Sequence, residues 1–319
     1  MVVIAVGAAP ASATFPGKNG RISFNAFVER TDSVEIFTAK RTGGGVRKLT
    51  STRNTGSQLP DWSPDGQRIA FYRERFNVEK PVQIYVMNAD GSGVTQLTTG
   101  PGFHGFPGWS PDGDSLAIAA DWGDFPALRG IWIIPASDPG GVTQQEARRV
   151  TTLPAGARGE DAEPQFSPNG NSIVFTRFRS ERFSAIHRVN VDGTGLKRLT
   201  PWRLNASDPD WSPNGRRIAF DSGDAGRPGS KGNIWVMRAD GTRRTRLTNH
   251  PRLRERAPFK LANNPVWSPN GRRIMYTRFL PERNQLVVMK PNGSRKHVVI
   301  GGRFGKRHFP NKVDWGTPP

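Results

Sequence analysis

Cysteine is absent from this 319-residue sequence. That excludes disulfide staples, thiolate metal ligands and a thiol nucleophile, and leaves packing as the source of stability. Long apolar runs are missing too. No stretch reaches the ~18 residues that cross a bilayer as a helix, so a transmembrane segment is not expected. A helical period is nowhere visible, which removes helical bundles and amphipathic membrane-surface helices. Tyrosine is scarce, with 3 residues, and most of the Trp and Phe fall at repeated positions that suit packing. The aromatic platform that stacks single-stranded nucleic acid is therefore lacking, and nucleic acid is not an expected partner.

What is abundant is Gly (36) and Pro (27), beside an apolar fraction of 35%. That balance suits many short strands joined by turns. Base also exceeds acid, 46 Lys and Arg against 27 Asp and Glu, for a formal net charge of +19. The excess is uneven: residues 1–160 carry 16 basic and 15 acidic side chains, residues 161–319 carry 30 and 12. Arg243, Arg244, Arg246, Arg252, Arg254 and Arg256 are its densest part. Such a sector could attract an acidic envelope polymer or protein, or it could serve solubility alone.

The start of the chain, Val2 to Ala9 followed by Pro10 and Ala11-Ser12-Ala13, fits the end of an apolar signal region with an Ala-x-Ala cleavage site. A basic leader before it is missing. Residues 1–13 are read as a signal-peptide remnant and residues 14–319 as one domain, which implies export to a periplasmic or extracellular location.

A repeat dominates the rest. Pro-x-Trp-Ser-Pro-Asp/Asn-Gly occurs at Pro60–Gly66, Pro107–Gly113, Pro209–Gly215 and Pro265–Gly271, and with Phe for Trp at Pro164–Gly170. Each copy precedes an alternating strand such as Arg68-Ile69-Ala70-Phe71, then an apolar strand, a turn such as Asp90-Gly91 or Asp240-Gly241, and a last strand ending in Leu-Thr or Val-Thr. That order predicts four strands per unit. The anchors at 62, 109, 166, 211 and 267 are spaced by one four-stranded blade plus variable loops. The termini supply a sixth unit: Asn19-Gly20-Arg21-Ile22 matches the strand that follows the motif, and Val313-Asp314-Trp315 matches the strand that carries it. The expected fold is therefore all-β, a six-bladed β-propeller of four-stranded antiparallel blades, closed by pairing the N- and C-terminal strands.

These five motif copies resemble the WD40-like (PD40) repeats of the TolB-like propeller, over nearly the whole chain after residue 13. The resemblance implies a scaffold of the kind that serves as a protein-binding module in the Tol–Pal envelope system or as a cover for a hydrolase domain. Neither the α/β domain that precedes the propeller in TolB nor an α/β-hydrolase domain is expected in this sequence.

Signs of catalysis are few. Gly-x-Ser-x-Gly, His-Glu-x-x-His and the phosphate-loop pattern do not occur, and the five histidines at 104, 187, 250, 297 and 308 have no ligand spacing. No enzyme activity and no cofactor are expected. Three residues before each anchor stand Leu59, Phe106, Glu163, Asp208, Asn264 and Lys312, which should meet at the mouth of the central channel. Glu163, Asp208 and Asn264, with Asp161, Ser207 and Asn263 alongside, would form an oxygen-lined arc facing Leu59 and Phe106, with His104 and His308 nearby. The arc could hold a Ca²⁺ ion, water or a peptide amine, or be polar only because the channel is wet. The insertions Ser137–Ala147, Ser222–Gly232 and Arg252–Leu261 lengthen particular connections.

The expected function is that of an exported, non-enzymatic, monomeric module binding a protein or peptide in the cell envelope. The alternative is a carbohydrate- or wall-polymer-active protein using a metal in the channel.

Overall fold

In the computed structural model, residues 15–76, 81–123, 128–137, 141–154, 159–180, 183–223, 232–250, 262–280, 283–302, 304, 308 and 310–318 are described. The signal-peptide reading of residues 1–13 lies outside them, as do Arg252, Arg254, Arg256 and the Arg252–Leu261 insertion. So do residues 138–140 and 224–231 of the other two insertions.

Strands appear where the repeat places them. The first unit holds β1 (Ile22–Val28), β2 (Ser33–Ala39) and β3 (Arg47–Lys48). The second is β4 (Thr55–Trp62), β5 (Arg68–Arg75), β6 (Gln83–Asn88) and β7 (Thr95–Gln96), and the third β8 (His104–Trp109), β9 (Ser115–Ala120), β10 (Gly130–Pro135) and β11 (Arg148–Arg149). The fourth is β12 (Glu160–Phe166), β13 (Ser172–Ser180), β14 (Phe183–Asn190) and β15 (Lys197–Arg198), and the fifth β16 (Ala206–Trp211), β17 (Arg217–Ser222), β18 (Asn233–Arg238) and β19 (Thr245–Arg246). The sixth is β20 (Ala262–Trp267), β21 (Ile274–Leu280), β22 (Arg283–Met289) and β23 (His297–Ile300), and β24 (Pro310–Trp315) ends the series. Within each unit the neighbours pair antiparallel; the first two units also touch through one parallel pair, Val34 with Gly56. β24 pairs antiparallel with β1, setting Trp315 opposite Ile22.

Side-chain alternation sends one apolar row of each strand to each face, where it packs against the adjoining sheet. The anchors Trp62, Trp109, Phe166, Trp211, Trp267 and Trp315 are all buried in these seams. Each contributes about 2–3 kcal/mol by leaving water. The first strands follow one another: β24 packs on β4, β4 on β8, β8 on β12, β12 on β16, β16 on β20, and β20 on β24.

The Thr that closes each of the first five units is a cap. Thr50, Thr98, Thr151, Thr200 and Thr248 accept, at 2.8–2.9 Å, the backbone N–H of Ile36, Ile84, Ile131, Ile186 and Ile234. Four of the hydroxyls pass a hydrogen bond on, to Glu35, Gln83, Asp161 and Asn233. The outermost strands β3, β11 and β15 are pairs of basic residues, a charge placement that discourages edge-to-edge association.

The Ser-Pro-Asp/Asn-Gly turns share one hydrogen-bond pattern. Ser212 N–H donates to Arg217 O (2.9 Å) and Gly215 N–H to Ser212 O (2.8 Å). Gly215 sits at φ +65°, where a Cβ would be strained, and lies against Pro168 of the preceding turn. Between the two ends of the chain the same pattern recurs without a covalent link: Gly316 N–H donates to Arg21 O (3.0 Å) and Gly20 N–H to Gly316 O (2.9 Å).

Candidate functional site

The column three residues before each anchor has a backbone reason to converge. Leu59, Phe106, Glu163, Asp208, Asn264 and Lys312 all have positive φ: 53°, 55°, 57°, 52°, 51° and 29°. Each sits where the pairing of its strand with the next slips, a bulge that re-aims the side chain. In five of the six a proline follows, so no N–H is left over where the ladder breaks. All six side chains line one recess of about 650 Å³ that opens to solvent.

The recess is divided by chemistry. On one side are Leu59 and Phe106, the latter in an aromatic cluster with Tyr72 and Phe103 at ring-centroid distances of 5.8–6.1 Å. On the other, Lys312 Nζ donates to Asp208 Oδ1 and stands 3.6 Å from Glu163 Oε1. Glu163 Oε2 accepts from Thr176 Oγ1 (2.6 Å) and from Asp208 N–H (2.7 Å), tying the fourth unit to the fifth. Burial first, then the charge of Asp208, push Glu163 up to about 7, while Lys312 pulls it down. Burial alone would lower Lys312, but Asp208 and Glu163 hold it above its ordinary value. Asn264 Nδ2 donates to Asn263 (2.8 Å) and Asn311 (3.1 Å), while its buried Oδ1 has no hydrogen-bond partner.

A second tier, one residue before the anchors, was not foreseen. Asp61, Asp210 and Asp314 also line the recess, and each accepts the backbone N–H of the next unit's anchor: Trp109 (2.9 Å), Trp267 (2.6 Å) and Trp62 (2.7 Å). Burial, then the charge of Asp314, raises Asp61 well above the ordinary carboxylate range, and burial raises Asp314 to about 6. The signal was available as the repeated dipeptide Asp-Trp at 61–62, 210–211 and 314–315. In the third unit this position is Gly108, because a Cβ there would meet Pro164 O at 2.5 Å.

The other candidates stand apart from the recess. Asp161 accepts from Arg177 Nε and Nη2 at 2.6 Å and from Thr151. Ser207 Oγ donates to Asp221 (2.6 Å), and Asn263 serves Asn264. His104 is fully buried beside Trp122, ring centroids 4.1 Å apart, with Nδ1 3.0 Å from Gln83 Oε1; burial lowers it to about 4. His308 stacks on Phe304 at 4.5 Å and meets the edge of Phe37, against the first unit. Neither histidine lines the recess. Among the described residues no group of three or more His, Asp or Glu could hold a metal ion, and no helix is long and apolar enough to cross a membrane.

Three similarities bear on this geometry. The chain is 26% identical over 203 residues to an uncharacterized peptidase of Bacillus subtilis, covering 62% of this chain and 27% of that one. It is 28% identical over 199 residues to an uncharacterized protein of Agrobacterium fabrum, covering 58% and 60%. It thus spans less than two thirds of either relative. The crystal structure of TolB from Acinetobacter baumannii superposes with a TM-score of 0.72 at 22% identity, over 93% of this chain and 67% of that one, a likeness of fold. The profile of the TolB β-propeller domain (PD40) matches residues 142–311, just over half of the sequence, and the chain belongs to that family.

Proposed function

We propose that residues 14–319 form one six-bladed ring closed by its own termini, and that this ring is an exported, monomeric, non-enzymatic module. It grips a peptide segment of a partner protein at the recess where the first strands converge. The observation that carries this reading is the division of the recess: an aromatic wall at Phe106 and Leu59 faces a buried cation between two carboxylates. An apolar side chain of the peptide would lie on the first and its backbone or amine on the second, the mixture of anchor and polar rim that peptide sites use. No cofactor is required for it. The basic sector would add steering toward an acidic partner or envelope polymer.

The test is affinity capture from an envelope extract with the unaltered chain and with Phe106→Ala and Glu163→Gln. A partner held at the recess should be weakened by about tenfold with Phe106→Ala. Equal recovery by all three chains would remove the recess from the interaction. A carbohydrate- or wall-polymer-active protein with a metal in the channel is the second reading, favoured by the approach of Asp61, Asp210 and Asp314. Each of these already spends an oxygen on a backbone N–H, so the donor set fits an ion poorly. Under that reading added Ca²⁺ should raise the melting temperature, and under the first it should not.

A further inference from the structure

The face opposite the recess, where the Ser-Pro-Asp/Asn-Gly turns gather, is not left open by the chain. Phe15 is 8% exposed and belongs to the apolar cluster of the second and third units that contains Trp109. Pro16, next to it, faces the turns of the fourth and fifth units, at Pro168, Pro213 and Trp211, and with Gly17 it also faces that of the sixth, at Trp267 and Pro269. Gly17 N–H donates to Pro269 O at 3.2 Å, and Asn19 Oδ1 accepts from Asn270 N–H at 3.2 Å. Three residues therefore reach from one side of the turn-bearing face to the other. They do not fill it. Recesses of about 770 and 1050 Å³, both open to solvent, flank Pro16, and the first is also lined by Arg188, whose Nε–H has no hydrogen-bond partner.

We propose that this face is a second peptide-binding site, for a segment carrying an aromatic residue followed by proline, and that Phe15-Pro16-Gly17 occupies it in cis. The chemistry of the rim supports that ligand class. Proline rings and Trp edges from successive turns form slots for a stiff apolar pair, and proline lowers the entropy lost when the segment is ordered. The anchor of the occupant is one aromatic side chain, and its backbone is held by few hydrogen bonds, so a longer partner segment with more contacts along the same rim would displace it. A partner bound here would be independent of one bound at the recess.

The experiment uses the full chain and a synthetic peptide of residues 14–20 bearing a fluorophore at its C-terminus. The Phe15→Ala chain should bind this peptide at least about tenfold more tightly than the unaltered chain does, because the competing anchor is gone. A peptide with the same Phe→Ala change should bind neither. Indistinguishable anisotropy curves for the two chains would overturn the proposal. Should Phe15→Ala fail to fold, the unaltered chain is read by hydrogen exchange. Excess peptide should speed exchange at the Gly17 N–H as the segment is expelled, whereas unchanged exchange overturns the proposal as well.

Discussion

Glu163 carries its proton to about pH 7 in the folded chain and to about 4.5 when unfolded, the difference arising first from burial. Because the folded pKa is the higher one, the folded state holds the extra proton between those values, and stability falls as pH rises through that window. Asp314, raised to about 6 by burial, acts in the same sense. His104 and His187 act in the opposite sense: burial lowers each from 6.5 to about 4, so their contribution is present above pH 6.5 and is lost as pH falls toward 4. A plain pH profile would mix the two, so the expectation is stated as a difference. Glu163→Gln should gain about 2 kcal/mol relative to the unaltered chain between pH 5 and pH 8, read from denaturant melts at each pH. A difference that does not vary with pH would show that the Glu163 carboxylate titrates as if exposed. The residue scale is also where sequence reading was least complete. The bulge at each channel residue resets the in–out alternation of its strand, so a side chain beyond it, such as that of His104, cannot be placed by counting back from Trp109. Asp61, Asp210 and Asp314 are hard to recognise as channel groups because the Asp-Trp dipeptide reads first as anchor packing.

At the scale of the strand, the sequence spells out nearly everything that the unit needs. Trp-Ser-Pro-Asp/Asn-Gly fixes the first turn, Asp-Gly or Asn-Gly the third, and the anchor spacing fixes the length, so four-stranded antiparallel sheets were legible before any coordinates. The work of the final Thr was not, since a Leu-Thr pair looks like ordinary strand chemistry. Thr248 is buried, accepts the Ile234 N–H at 2.9 Å and donates to Asn233 at 3.0 Å. Thr248→Val keeps the shape, strands the Ile234 N–H and leaves Asn233 Oδ1 with the His250 N–H, and should cost about 1–3 kcal/mol. Thr245, three residues earlier on exposed β19, is the control: Thr245→Val should stay within about 0.5 kcal/mol. Equal losses at the two positions would mean that the cap contributes nothing beyond strand propensity.

For the whole molecule, the basic excess and the junctions between sheets are linked. Several arginines reach carbonyls of the neighbouring unit: Arg68 to Gly113 (3.1 Å), Arg148 to Val191 (2.5 Å), Arg244 to Leu199 (3.1 Å). Part of the positive charge thus serves the seams between sheets. The seam between first and last units has, in place of a covalent turn, the β1–β24 ladder, the two Gly20–Gly316–Arg21 bonds and the buried Trp315, beside an apolar cluster that joins Phe24 and Phe37 to Leu286 and Val288. Stability in such a stack is carried by contacts between neighbours, so losing one junction leaves two sheet edges unpaired at once. Trp211 and Trp315 are equally buried, at 3% and 4% exposure, so the cavity left by an alanine is similar, worth about 3–5 kcal/mol at either place. Trp211 is followed by an intact turn that keeps its strand in place, whereas Trp315 is not. Trp315→Ala should therefore destabilise the chain by at least about 1 kcal/mol more than Trp211→Ala, by denaturant melts followed at a shared probe. It should also raise hydrogen exchange along β1 first, because that strand loses its inner partner, β24. Equal losses, with exchange rising evenly round the molecule, would show that the ends are held by something other than the split turn.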